Sequence, residues 1–151
     1  MAFSPGGRLL ASAGGDGTVR LWNPVTGQLA GAPLQATSAR YGVSAVAFSP
    51  DGKLLAIGRG DGTVRLWNPF TGRPVGRTLQ TGSGPAGGVF AVAFSPDGKL
   101  LASAGNDATV RLWQTSLFAH TYAQLCADAG PPTPHEWNHY AFGETQPKVC
   151  A

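Results

Sequence analysis

Phe-Ser-Pro stands three times in the chain, beginning at Phe3, Phe48 and Phe94, and its surroundings repeat with it. The steps are 45 and then 46 residues. Asp-Gly-Thr-Val-Arg-Leu-Trp runs from Asp16 to Trp22 and again from Asp61 to Trp67. It returns from Asp107 to Trp113 with Ala108 in place of the glycine. Asn23-Pro24-Val25-Thr26-Gly27 comes back as Asn68-Pro69-Phe70-Thr71-Gly72. The one extra residue of the second step falls in the glycine-rich stretch between Gly82 and Gly88. A period of this length makes each repeat one supersecondary unit, which buries its apolar face only by stacking on a neighbour.

Within a repeat the pattern is that of strands. Val43 to Phe48 alternates and is rich in β-formers, and Pro50-Asp51-Gly52-Lys53 is a tight turn. Leu54–Gly58 is a second strand, Asp61-Gly62 a hairpin turn, and Thr63–Trp67 a third strand. A weaker fourth strand follows from Pro74 to Gln80, its leading proline suited to an outer edge. The chain has 22 glycines and 12 prolines among 151 residues, enough to raise the question of low-complexity disorder. A 42% hydrophobic content and a net charge of only +3 answer it, because such a chain can bury a core. Charged residues make up only 13%, too few to coat the exposed faces of a helical bundle. The expectation is an all-β fold of four-stranded antiparallel meanders.

Phe-Ser-Pro-Asp-Gly, then Leu-Ala-Ser-Ala-Gly, then Asp-Gly-Thr-Val-Arg-Leu-Trp resembles the WD40-repeat family over residues 1 to about 114. The resemblance implies a β-propeller with one four-stranded blade per repeat. The blades would span about 1–36, 37–82 and 83–114, followed by a tail over 115–151. In the family a His, an Asp, a Ser or Thr and the Trp form a network inside a blade. Here Asp16, Asp61 and Asp107 are present with Trp22, Trp67 and Trp113. Ala39 and Pro85 stand where the histidine would be, and Ile57 replaces the serine seen at Ser12 and Ser103. The full network is therefore not expected in any blade. The aspartates are expected to serve their turns only, and the tryptophans to pack between blades. Trp is followed by Asn23, Asn68 and Gln114 where the family often has Asp.

Closed propellers have 4–8 blades. The expectation is a partial, three-blade propeller, read as the last blades of a larger one. Its end blades would leave apolar faces bare, which invites self-association. The tail carries a helical stripe of Leu117, Phe118, Tyr122, Leu125 and Cys126, and a capping box at Thr133-Pro134-His135-Glu136 that starts a short helix. It is similar to the C-terminal tails of bacterial multidomain WD40 proteins, which often carry a kinase or signalling NTPase upstream.

Other motifs in the chain suggest chemistry of their own. His135-Glu136-Trp137-Asn138-His139 matches the zinc-peptidase pattern, but it sits in a first helical turn with Glu136 occupied as a cap. Cys126, His135, His139 and Cys150 lack the short cysteine pair of a zinc site. Cys126 and Cys150 could close a disulfide, a state that a reducing cytoplasm disfavours. No cofactor or metal is expected. Ten of the eleven basic residues lie in 1–113, but Arg20, Arg65 and Arg111 recur at one blade position rather than clustering. Their stems would pack on neighbouring blades with their heads at the rim, so nucleic-acid binding is not expected. No apolar run is long enough to cross a membrane, and no export signal opens the chain, so the expected compartment is the cytoplasm.

What remains is a non-catalytic interaction or scaffold module. An up-and-down meander sets the loops that join repeats beside the Asp-Gly turns. Arg40, Tyr41, Arg59, Phe90 and Asn106 fall there and differ between repeats, so they are the candidate protein-binding residues. The alternatives are a tail-based peptidase using the His-Glu-x-x-His motif and a truncated product without function.

Overall fold

The computed structural model describes residues 1–38, 40–81 and 87–115. Met1–Thr115 form one compact unit. The expected tail helices, the His135–His139 motif and both cysteines lie outside the described residues.

Among the described residues, eleven strands make three antiparallel sheets. The first holds β1 (Ala2–Phe3), β2 (Leu10–Ala13), β3 (Thr18–Trp22) and β4 (Leu34–Gln35) in that order. The second holds β5 (Val43–Phe48), β6 (Leu55–Arg59), β7 (Thr63–Asn68) and β8 (Arg73–Gln80). The third holds β9 (Val89–Phe94), β10 (Leu100–Gly105) and β11 (Val110–Gln114). The repeats thus fold as meanders, as the sequence predicts.

The fourth strands differ. β8 runs eight residues, whereas its counterpart β4 has two, with an isolated bridge between Trp22 and Leu29. Pro33 stands one period before Thr78, and a proline has no N–H to give a ladder. The first repeat is therefore a meander with a curtailed outer strand.

Turn chemistry explains the shared motif. In the second repeat Ser49 Oγ donates to Asp51 Oδ1 at 2.6 Å, and the Leu54 amide donates to Ser49 Oγ at 2.9 Å. Asp51 Oδ1 also accepts the Lys53 amide at 3.0 Å, and Gly52 takes a φ of 71°. Ser95 and Asp97 repeat this arrangement. These contacts, with the serine hydroxyl foremost, hold both carboxyls below the usual range. In the first repeat Gly6 replaces the aspartate, and Ser4 Oγ alone still accepts the Leu9 amide. The asparagine after each tryptophan has a task too. Asn23 Oδ1 accepts the Val25 and Thr26 amides, and Asn68 Oδ1 accepts those of Phe70 and Thr71.

Alternation along the strands gives every sheet two apolar faces. From the first sheet, Ala11, Val19, Leu21 and Leu34 are buried against Val46, Phe48, Leu55, Ile57 and Trp67 of the second. One period on, Ala56, Val64, Leu66 and Leu79 are buried, as is Leu101 of the third sheet. Burying such a side chain stabilises by about 1.5–3 kcal/mol, so the two junctions dominate the stability of the unit. The backbone joins the sheets as well: the Val43 amide donates to Gly14 O at 3.0 Å, and Ser44 Oγ donates to Val89 O at 2.6 Å.

Candidate functional site

Strand order fixes which loops share an end. β5 runs away from Tyr41 and Gly42, β6 returns to them, β7 leaves, and β8 comes back toward Thr81. The Asp-Gly turns and the joining loops therefore lie at one end of the strands, and the Pro-Asp-Gly turns at the other. Hydrogen bonds tie the first group together. The Ala36 and Thr37 amides both donate to Gly17 O at 3.1 Å, and Thr81 N and Oγ1 donate to Gly62 O. Gly60 packs so closely on Tyr41 that a Cβ there would stand 1.9 Å from the Tyr41 carbonyl oxygen.

Three of the five candidate residues meet around the second sheet. Arg40 is exposed, with its guanidinium 5.5 Å from the centroid of the half-buried Tyr41 ring. Arg59 ends β6 beside them. Its Nη2 pairs with Asp61 at 2.8 Å and donates to Thr37 Oγ1 at 3.1 Å. Arg59 is thus held in the frame, while Arg40 and Tyr41 offer a cation and an aromatic face. The other two candidates belong to the third sheet. Phe90 is exposed on β9, and Asn106 is exposed in the turn after β10, where its amide donates to Gly88 O at 3.0 Å. Phe90 replaces Ser44 of the second sheet, and Asn106 replaces Gly15 and Gly60.

The aspartates do more than hold turns, which corrects the sequence expectation. Asp16 Oδ1 accepts the Thr18 amide at 3.0 Å and its hydroxyl at 2.7 Å, while Oδ2 pairs with Arg20 at 2.8 Å. These contacts, the Thr18 hydroxyl foremost, lower its pKa to about 2. Asp107 pairs with Arg111 at 3.3 Å in the same way. In the second sheet the pair is rewired. Gly14 and Gly105 flank the other turns, but Arg59 stands at their equivalent and takes Asp61 itself. Arg65 does not pair with Asp61, and its Nε is buried without a partner. The arginine heads in the first and third sheets therefore lie over their own hairpin, and the neighbouring sheet is not what holds them.

The tryptophans keep part of the family's expected network. Trp22 Nε1 donates to Ser12 Oγ at 2.8 Å, and Trp113 Nε1 to Ser103 Oγ at 3.0 Å. In the second sheet Ile57 removes the acceptor, and Trp67 Nε1 is buried without a partner. Losing the hydrogen bond costs about 1–3 kcal/mol. Full burial of the Ile57 side chain offsets this by about 1.5–3 kcal/mol.

One feature was not foreseen. An open groove of about 430 Å³ lies where the first sheet meets the second, lined by residues that include Pro33, Leu34, Trp67, Phe70 and Pro74. It lies where curtailed β4 meets the β7–β8 turn. Pro33, compared with Thr78, is the sequence signal for it. No helix among the described residues is long and apolar enough to cross a membrane.

Comparison with protein-family models finds the family described as WD domain, G-beta repeat at residues 1–23, 31–68 and 76–114, well over half of the chain. The second and third matches begin before or within the outer strand of one sheet and run through the first three strands of the next. Each such unit straddles a junction. No curated protein matches the chain.

Proposed function

The chain belongs to the WD40-repeat family, and from that premise we propose that it works as a non-catalytic protein-interaction module. The observation that carries this reading is the contrast between a constant frame and a variable end. Val19, Val64 and Val110, or Leu21, Leu66 and Leu112, are the same residue in every blade. At the end that gathers the joining loops, glycine or serine in one blade becomes Arg59, Phe90 or Asn106 in another. Substitutions that the frame does not require, with a cation and a phenyl ring exposed beside a half-buried phenol, suit recognition of a protein surface. Arg40, Tyr41 and Phe90 supply the contact, and Arg59 with Thr37 and Asp61 braces the loop beneath it. The cytoplasm is the proposed compartment.

Affinity capture with the full chain tests this, with the double variant Tyr41→Ala/Phe90→Ala as the comparison. A protein retained by the wild type and lost with the variant, at unchanged melting temperature, is the expected result. Retention that is indifferent to both substitutions would overturn the assignment.

A further inference from the structure

We infer that the partner is acidic where it meets the second sheet, and that a glutamate or aspartate side chain of the partner seats at Arg59 and Arg65. This rests on the interaction reading above and names the chemistry of its partner.

Among the described residues, three carboxylates lie at the loop-bearing end, and each holds one arginine. Asp16 holds Arg20, Asp61 holds Arg59 and Asp107 holds Arg111. Arg40 and Arg65 are left over, and neither pairs with a carboxylate among the described residues. Both belong to the second repeat. The outer two repeats match one turn aspartate to one arginine four residues on, whereas in the second Arg59 has taken Asp61 from Arg65.

Strand register puts Arg59 and Arg65 together. Arg65 is the partner of Ile57 across β6 and β7, and Arg59 follows Ile57 by two residues, on the same face. Diagonal neighbours on one face lie within reach of long side chains. Arg20 and Arg111 stand at the same strand position as Arg65 and reach the aspartates of their own turns, so an arginine there is long enough to serve the end of the sheet.

Both guanidinium groups are underbonded. The Nε atom of each is buried without a hydrogen-bond partner. Buried donors are normally satisfied, and a partly buried cation without a counter-ion is costly, so the cluster calls for an anion. The Arg59 side chain keeps 16% of its surface exposed and Arg65 is half-buried, so solvent reaches both. Two arginines against one aspartate leave one positive charge unbalanced, which one carboxylate neutralises. The planar guanidinium offers paired donors that match the two oxygens of a carboxylate. Exposed Arg40, against the Tyr41 ring, supplies a further cation at the same end. The charge there thus complements an acidic segment rather than a single acid.

Nuclear magnetic resonance of the arginine Nε–H groups in the isotope-labelled full chain tests this. The probe is a soluble peptide of alternating glutamate and serine, with its glutamine counterpart as control. The glutamate peptide is expected to shift the Arg65 signal, which Arg65→Lys removes and so assigns, and the glutamine peptide to leave it in place. Arg65→Gln is expected to weaken binding of the glutamate peptide about tenfold through loss of one charge-assisted contact, with unchanged circular dichroism. Arg65→Lys, which keeps the charge without the fork, is expected to recover part of that loss. A signal that the glutamate peptide does not move would overturn the proposal. So would equal shifts with the glutamine peptide or with inorganic phosphate, or binding indifferent to Arg65→Gln. Partner capture through Tyr41 and Phe90 is measured separately, so this inference and the interaction reading fail by different results.

Discussion

Ala108 holds a φ of 57° where the equivalent Gly17 and Gly62 hold 82° and 80°. The left-handed region costs an L-residue about 1–2 kcal/mol, against about 0.5–1 kcal/mol for the extra chain entropy that glycine loses on folding. Ala108→Gly is therefore expected to stabilise the protein by about 0.5–1 kcal/mol, read as a higher midpoint in urea. A lower midpoint would mean that the turn is not strained.

Asp16 makes a second prediction at this scale. Its folded pKa of about 2 lies below the unfolded value near 3.8, so the native state binds this proton less readily. Its contribution is complete above pH 4 and fades as pH falls toward 2. The depressed carboxyls of Asp51 and Asp97 add in the same direction. Melting temperature is expected to fall through that window, and less steeply in Asp16→Asn. The aspartate-to-threonine turn was legible in the sequence because it is local. The arginine pairing was not, because it depends on whether Gly14, Arg59 or Gly105 stands beside the turn.

Among elements, the inner strands were the most legible. Val43–Phe48 is β5 to the residue, and Thr63–Trp67 falls one residue short of β7. Their two-residue alternation is reinforced by burial on both faces, so pattern and structure coincide. The outer strands were less so, because they pair with one partner strand only, and their length differs between repeats whose cores are the same. The sequence of the second repeat predicts β8 well, but carrying that prediction back to the first repeat overlooks Pro33. In hydrogen exchange, peptides covering Arg73–Gln80 should exchange more slowly than peptides covering residues 28–35. Equal rates would show that the outer strand of the first blade forms a full ladder in solution. The recognition end was legible only as a placement. Repeat comparison places Arg40, Tyr41 and Arg59 at one end, but the Thr37 and Asp61 contacts that fix Arg59 depend on tertiary placement, as does the packing of Tyr41 on Gly60.

For the whole molecule, repetition separates two roles. Residues that recur build the junctions, and residues that vary are free to recognise something else. In the proposed module, partner recognition uses the rim and leaves the frame untouched. Placing a photo-activatable cross-linking residue at one of four positions distinguishes these surfaces in a single measurement. Positions 41 and 90 lie at the loop-bearing end, 112 on β11, and 53 in the opposite turn. The account predicts adducts with a partner protein at 41 and 90, and none at 53 or 112. Partner adducts at 53 or 112 but not at 41 and 90 would contradict it.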